Sequence, residues 1–334
     1  MQRAKPIMGS VFKTLRISGA LLLLAATAAN AQSSWQAKEL KASDWPDEIV
    51  EETRDEAQDG LPDGLISEHT GGDIARAWYA SPTERYAHGA LGDAIEAGSL
   101  HVETEAGKRL SLVLPRSEVF EDRYPRLADL DGDGTVEIVT IRSSLTKGAS
   151  VTVYGLDGEA IAEKATTGFY GRKNRWLNIA GIAPFLGIAG NEIAFVQTPH
   201  IGGDLFVLRY SRGRLIQFGA GEDFSNHVLG SHEMRLSAVA DVDGDGRAEL
   251  AVPSADRKAL RIIGLTAKVS RVSSGSGSAN SVVIGHQNDS QGGLKEFARV
   301  ALPSPIDKAI GIETDRPRGF VVGLEDGSVY LVHQ

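Results

Sequence analysis

The chain of 334 residues contains no cysteine. That excludes disulfides, a cysteine-ligated zinc or iron–sulfur centre, a thiol nucleophile and a lipid-modified N-terminal cysteine. Common catalytic signatures are missing too. There is no His-Glu-x-x-His, no Gly-x-Ser-x-Gly, no phosphate-cradling P-loop and no Gly-x-Gly-x-x-Gly after a strand. Beyond one apolar stretch near the N-terminus, no segment is long and apolar enough to cross a bilayer.

That stretch has the layout of a secretory signal. Arg3, Lys5, Lys13 and Arg16 form a basic start, Ile17 to Ala29 an apolar centre, and Ala29-Asn30-Ala31 a small-x-small cleavage site before Gln32. Met8 offers an alternative start. An uncleaved anchor is the competing reading, but the apolar centre is short for a span. Cleavage after Ala31 would remove four positive charges and no negative ones, taking the formal net charge from −9 to −13. The expected location is periplasmic or secreted, with no stable membrane insertion once the signal is gone. A surface this acidic disfavours nucleic acid and anionic membrane as partners.

Acids are concentrated in two nearly identical loops, Asp129-Leu130-Asp131-Gly132-Asp133-Gly134-Thr135-Val136-Glu137 and Asp241-Val242-Asp243-Gly244-Asp245-Gly246-Arg247-Ala248-Glu249. Four carboxylates within nine residues repel one another unless a cation lies among them. Alternating Asp side chains line the inside of a tight loop, Gly permits the bend, and a hard oxygen-seeking ion such as Ca2+ fits. An EF-hand is excluded, because position twelve is Thr140 in one loop and Val252 in the other, where a bidentate Glu is required. The flanks, such as Ile138-Val139-Thr140-Ile141, read as strands of a hairpin. An acidic surface turn without an ion is the plainer alternative.

The segment after each loop repeats. Glu137-Ile138-Val139-Thr140-Ile141 recurs as Glu192-Ile193-Ala194-Phe195-Val196 and Glu249-Leu250-Ala251-Val252-Pro253, at intervals of 55 and 57 residues. Further hairpins are expected around Gly107 and Asp326-Gly327. This period, with four short strands per unit, predicts an all-β chain: a β-propeller of about five four-stranded blades, with six possible.

Here the chain resembles the FG-GAP/VCBS repeat family, whose blades form the integrin-α-type propeller. The resemblance rests on Asp-x-Asp-Gly-Asp-Gly-x-x-Glu-Ile/Leu at 129–138 and 241–250, and extends by periodicity over residues 73–334. It implies two calcium sites on loops joining the first and second strands of a blade. Asp129, Asp131, Asp133 and Glu137 would be ligands with the Thr135 carbonyl, and Asp241, Asp243, Asp245 and Glu249 with the Arg247 carbonyl. The middle repeat has Pro184, Leu186 and Ile188 at the three Asp positions, so no metal is expected there.

Residues 32–72 read as an acidic arm preceding the propeller domain at 73–334. Ser43 or Asp44 is expected to cap a short helix running to about Gln58. Trp35 and Trp45 either dock the arm or belong to a mobile tail. The Ser/Gly segment 273–281 reads as a flexible loop before the last unit.

Ligand-capable side chains gather in connections expected on the face opposite the acidic loops. Arg175, Trp176, Asn178, His200, Asn226, His227 and Arg257 are the candidate binding residues. Trp can stack on a sugar ring while Asn, Arg and His hold hydroxyls. Ordinary strand-end capping would use the same residue types. The combined expectation is an exported binding or scaffold module for a cell-envelope glycan or another exported protein. The alternative is a polysaccharide hydrolase or lyase with His200 or His227 as base.

Overall fold

Runs rich in β-branched and apolar residues, punctuated by Gly and Asp turns, give an all-β chain. The computed structural model describes residues 34–46, 49, 52–266, 268–272, 281–285, 293–315 and 318–334. The expected signal at 1–31 and residues 273–280 of the Ser/Gly segment lie outside the described residues.

Five antiparallel four-stranded units follow one another. The first contains Ser67–Glu68, Ile74–Thr83, Glu96–Thr104 and Arg109–Val113. The second contains Arg126–Ala128, Glu137–Ser144, Gly148–Asp157 and Ala160–Thr166. Leu177–Ala183, Glu192–Gln197, Asp204–Ser211 and Arg214–Glu222 make the third. The fourth pairs Ala238–Ala240, Glu249–Pro253, Ala259–Leu265 and Leu294–Ala301, with a hairpin of Lys268–Val272 and Ser281–Gly285 inserted before its last strand. A short strand, Glu118–Phe120, pairs with both the first and second units and joins them into one hydrogen-bonded sheet.

The fifth unit is completed by the other end of the chain. Ile306–Glu313, Gly319–Leu324 and Val329–His333 take Gln36–Glu39 as their outer strand, with Gln36 opposite His333 and Glu39 opposite Tyr330. Trp35 locks the junction by stacking on Phe320, with ring centroids 6.4 Å apart. Trp45 packs with Ile49 against Val321 and Val329. Of the short helix expected from Ser43 or Asp44, the described residues show only a 3-10 turn, Ala42–Asp44, and Gln58 lies in a turn. Pairing and apolar anchoring at Trp35, Trp45, Ile49 and Leu61 hold the arm extended, overriding local helix propensity.

Apolar residues from facing units fill the layers between them. Tyr79, Leu100, Ile138 and Tyr154 pack between the first and second, and Val139, Val151, Ile193 and Phe195 between the second and third. Val196, Leu205, Leu250 and Ile263 pack between the third and fourth, and Leu260, Ile262, Phe320 and Val322 between the fourth and fifth. Strands covered on both faces need continuous apolar runs, which is why Glu137–Ser144 and Gly148–Asp157 are buried almost throughout. The first strands of neighbouring units lie against one another at three of these junctions.

Candidate functional site

The two acidic loops adopt the same geometry. Asp129 accepts hydrogen bonds from the Gly132 and Gly134 amides (2.7 and 3.0 Å), and Asp241 from those of Gly244 and Gly246 (2.6 and 2.9 Å). All four glycines have φ between +81° and +88°, a conformation other residues rarely adopt. Glu137 and Glu249 are buried, and their Oε2 atoms accept from the Leu130 and Val242 amides (2.8 and 3.0 Å).

In each loop three carboxylates converge, with ligand atoms within 4.8 Å of one another: Asp129, Asp131 and Glu137 in one, Asp241, Asp243 and Glu249 in the other. Asp133 and Asp245 stand apart, accepting from the amides of Thr135 and Arg247 at 2.8 Å. The convergent oxygens suit a hard cation. Asp131 Oδ1 is buried without a partner among the described residues. Burial, with further raising by the neighbouring Asp charges, pushes Glu137 and Glu249 up to about 7. A bound dication would offset both penalties.

The middle loop keeps the Glu and replaces the Asp residues. Glu192 is fully buried and its Oε2 accepts from the Leu186 amide at 2.9 Å, as Glu137 and Glu249 do in their own loops. Its other oxygen pairs with Arg209, whose Nη2 also donates to the Ala189 carbonyl at 2.8 Å. A guanidinium thus supplies the positive charge beside this carboxylate.

The seven candidate binding residues do not all meet. Trp176, His200 and His227 do: the Trp176 ring stacks on His200 (5.7 Å, 16°) and meets His227 edge-on at 4.7 Å. Trp176 is 2% exposed and its Nε1 donates to the Glu121 carbonyl at 3.0 Å, so it offers no open face for stacking a sugar. In the same loop as His200, Gly203 has φ +52° and packs so tightly that a Cβ would fall 1.5 Å from the Phe224 carbonyl oxygen.

His200 Nε2 lies 2.9 Å from His227 Nδ1, and His227 Nε2 lies 3.0 Å from the Ser231 carbonyl. That carbonyl can only accept, which assigns a proton to His227 Nε2 and makes its Nδ1 the acceptor from His200. The remaining His200 nitrogen, Nδ1, carries a lone pair and has no hydrogen-bond partner among the described residues. Burial first, then the charges of His88 and Arg257, lowers His200 to about 4. Burial and His200 lower His227 to about 3.

Asn178 and Asn226 tie the strand Leu177–Ala183 to the segment before the fourth unit. Asn178 Nδ2 donates to the Asn226 and Met234 carbonyls, and Asn226 Nδ2 to the Asn178 and Ile179 carbonyls. Both are fully buried, and both Oδ1 atoms lack a partner among the described residues. Arg257 is committed elsewhere, donating to the Ile306 carbonyl and Glu325. Arg175 lines a separate recess with Tyr170, Gly171, Gln197, Thr198 and Ile201.

Sequence reasoning missed the acidic group beside this cluster. Glu121 is fully buried, bonded to His88 Nδ1 through Oε1 and to Ser143 Oγ through Oε2. Burial raises its carboxyl, partly offset by His88. The available signal was Glu121-Asp122 directly after apolar Val119-Phe120, at the end of a strand-like run.

No family model matches the chain, and no curated protein matches it. Among solved structures, an exotype rhamnogalacturonan lyase, YesX, aligns with TM-score 0.40 and 16% identity over 89% of this chain and 59% of its own. The rhamnogalacturonan lyase YesW gives 0.40 and 16% over 80% and 57%. The Bacillus licheniformis rhamnogalacturonan lyase PL11 gives 0.39 and 18% over 89% and 60%. The chain therefore spans less than two thirds of the length of each. No helix among the described residues is long and apolar enough to cross a membrane.

Proposed function

We propose that the chain is an exported, calcium-stabilised β-propeller of five blades that acts as a binding or scaffold module. The ligand is a cell-envelope glycan or an exported protein. The propeller reading draws on three features: sequential four-stranded units, adjacent first strands, and a last unit completed by the N-terminal strand Gln36–Glu39. Resemblance to the FG-GAP/VCBS repeats belongs to the same reading.

Calcium would be held by Asp129, Asp131 and Glu137, and by Asp241, Asp243 and Glu249. It would neutralise the convergent carboxylates and fix the loops. Asp133, Asp245 and the Thr135 and Arg247 carbonyls remain candidates to complete the shells.

One observation carries the binding reading. His200, half-buried beside Trp176 and His227, keeps at Nδ1 a lone pair without a partner among the described residues. An open acceptor suits a ligand with hydroxyl donors. A second reading, a polysaccharide lyase, is favoured by the neutral imidazole of His200 and its open lone pair, which could take a proton.

Co-sedimentation with purified peptidoglycan sacculi and envelope polysaccharides tests the binding reading. Retention of the parent and loss in His200→Ala support it; equal retention of both removes this cluster from the site. Ultraviolet-absorbing unsaturated products in the same mixtures would favour the lyase reading.

A further inference from the structure

A third cluster of metal-ligating side chains lies outside the acidic loops. Asp63 comes from the arm, Asp93 from the connection between Ile74–Thr83 and Glu96–Thr104, and His232 from the segment before the fourth unit. Ligand atoms of all three lie within 4.8 Å of one another, although the residues are far apart in sequence. Hydrogen bonds already hold them in place. Asp63 Oδ2 accepts from Arg123 Nε (3.1 Å) and Asp93 Oδ1 from the Ile95 amide (2.8 Å), so each carboxylate keeps a second oxygen to offer. Arg123 Nη1 donates to the His232 carbonyl at 2.7 Å, tying the arm to the segment that carries the imidazole.

A further observation points to a ligand. Glu96 is 4% exposed, yet its side chain has no hydrogen bond or ion pair among the described residues. Burial, and then the charges of Glu121, Asp93, Asp63 and Asp122, push it up to about 10, so this carboxyl faces other carboxylates. Gly92, at φ +100°, packs against the imidazole: a Cβ there would fall 2.9 Å from His232 Nε2 and from the Gly230 carbonyl oxygen, so a side chain at this position would push His232 away.

We propose that Asp63, Asp93 and His232 form a site for a divalent transition-metal ion that clasps the arm to the loop before the fourth unit. Two carboxylates with one imidazole suit Zn2+, Mn2+ or Co2+ rather than Ca2+, whose ligands are oxygens. Three protein ligands leave coordination positions for water or an incoming group. Arg123 and the Ile95 amide orient the carboxylates. This site is independent of the glycan reading.

The test is Co2+ titration of untagged protein saturated with Ca2+, followed by visible absorption. The expected result is one equivalent of Co2+ bound with a ligand-field band. Binding should be about tenfold or more weaker in His232→Ala and Asp93→Asn. His232 is exposed, so its replacement leaves the fold intact, and an unchanged calcium-dependent melting shift verifies this. Absence of a bound equivalent in the parent, or equal affinity in parent and His232→Ala, would overturn the proposal.

Discussion

Glu192 and Arg209 face each other across adjacent strands of the third unit and are joined by an ion pair. In the second and fourth units the same register, extended by one residue, places Gly155 opposite Glu137 and Gly264 opposite Glu249. The unit whose loop lacks the three Asp residues therefore carries its own cation as a side chain. The units whose loops keep them have glycine, with no side chain, at that position.

Arg209→Met should leave a fully buried carboxylate unpaired and destabilise the fold by about 3–5 kcal/mol. Adding Glu192→Gln should recover much of the loss, because the neutral amide can still occupy the site. Urea denaturation of the three proteins measures both effects. A double variant no more stable than Arg209→Met would contradict the pairing.

Calcium should raise the melting temperature. At a hundredfold excess over its Kd, each site contributes about 2.7 kcal/mol. Asp131→Asn combined with Asp243→Asn should abolish the difference between Ca2+ and EDTA. Asp133→Asn should have the smaller effect, since Asp133 is bonded to the Thr135 amide and hydroxyl. Differential scanning calorimetry in both buffers is the check.

The His200–His227 pair predicts a stability that falls with acidification. Both imidazoles are held below their ordinary value, so the folded chain resists protons that the unfolded chain takes up. Their contribution is complete above about pH 6.5 and is lost as pH falls through that value toward about 4. Each refused proton adds at most about 1.4 kcal/mol per pH unit. His200→Gln should flatten the acid side of the curve of melting temperature against pH; an unchanged slope would exclude the pair as its cause.

Much of the strand frame was legible in the sequence. The repeated Glu137, Glu192 and Glu249 segments are strands, and the turns at Gly107 and Asp326-Gly327 sit between paired strands. Local apolar runs and turn residues carry those features. The role of Trp35 was open because strand closure by Gln36–Glu39 pairs residues almost 300 positions apart, beyond any local pattern. Trp176 read as a ligand platform because composition gives side-chain type and not burial. The Glu121–His88–Ser143 group was invisible for the same reason: three separate segments bring it together.

Trp35→Ala should cost about 3–5 kcal/mol by removing a buried ring from its stack on Phe320. Hydrogen exchange should rise first in Val329–His333, the strand that Gln36–Glu39 covers. Uniform exchange across all five units would contradict an N-terminal strand that closes the fifth.

The most direct test of the account is binding of the chain from Gln32 onward to an array of envelope glycans and peptidoglycan fragments, in Ca2+ and in EDTA. The account predicts a ligand bound in Ca2+, weakened in EDTA, and lost in the Asp131→Asn, Asp243→Asn double variant. A blank array in both buffers would contradict glycan binding and leave an exported protein as the partner to be sought by crosslinking.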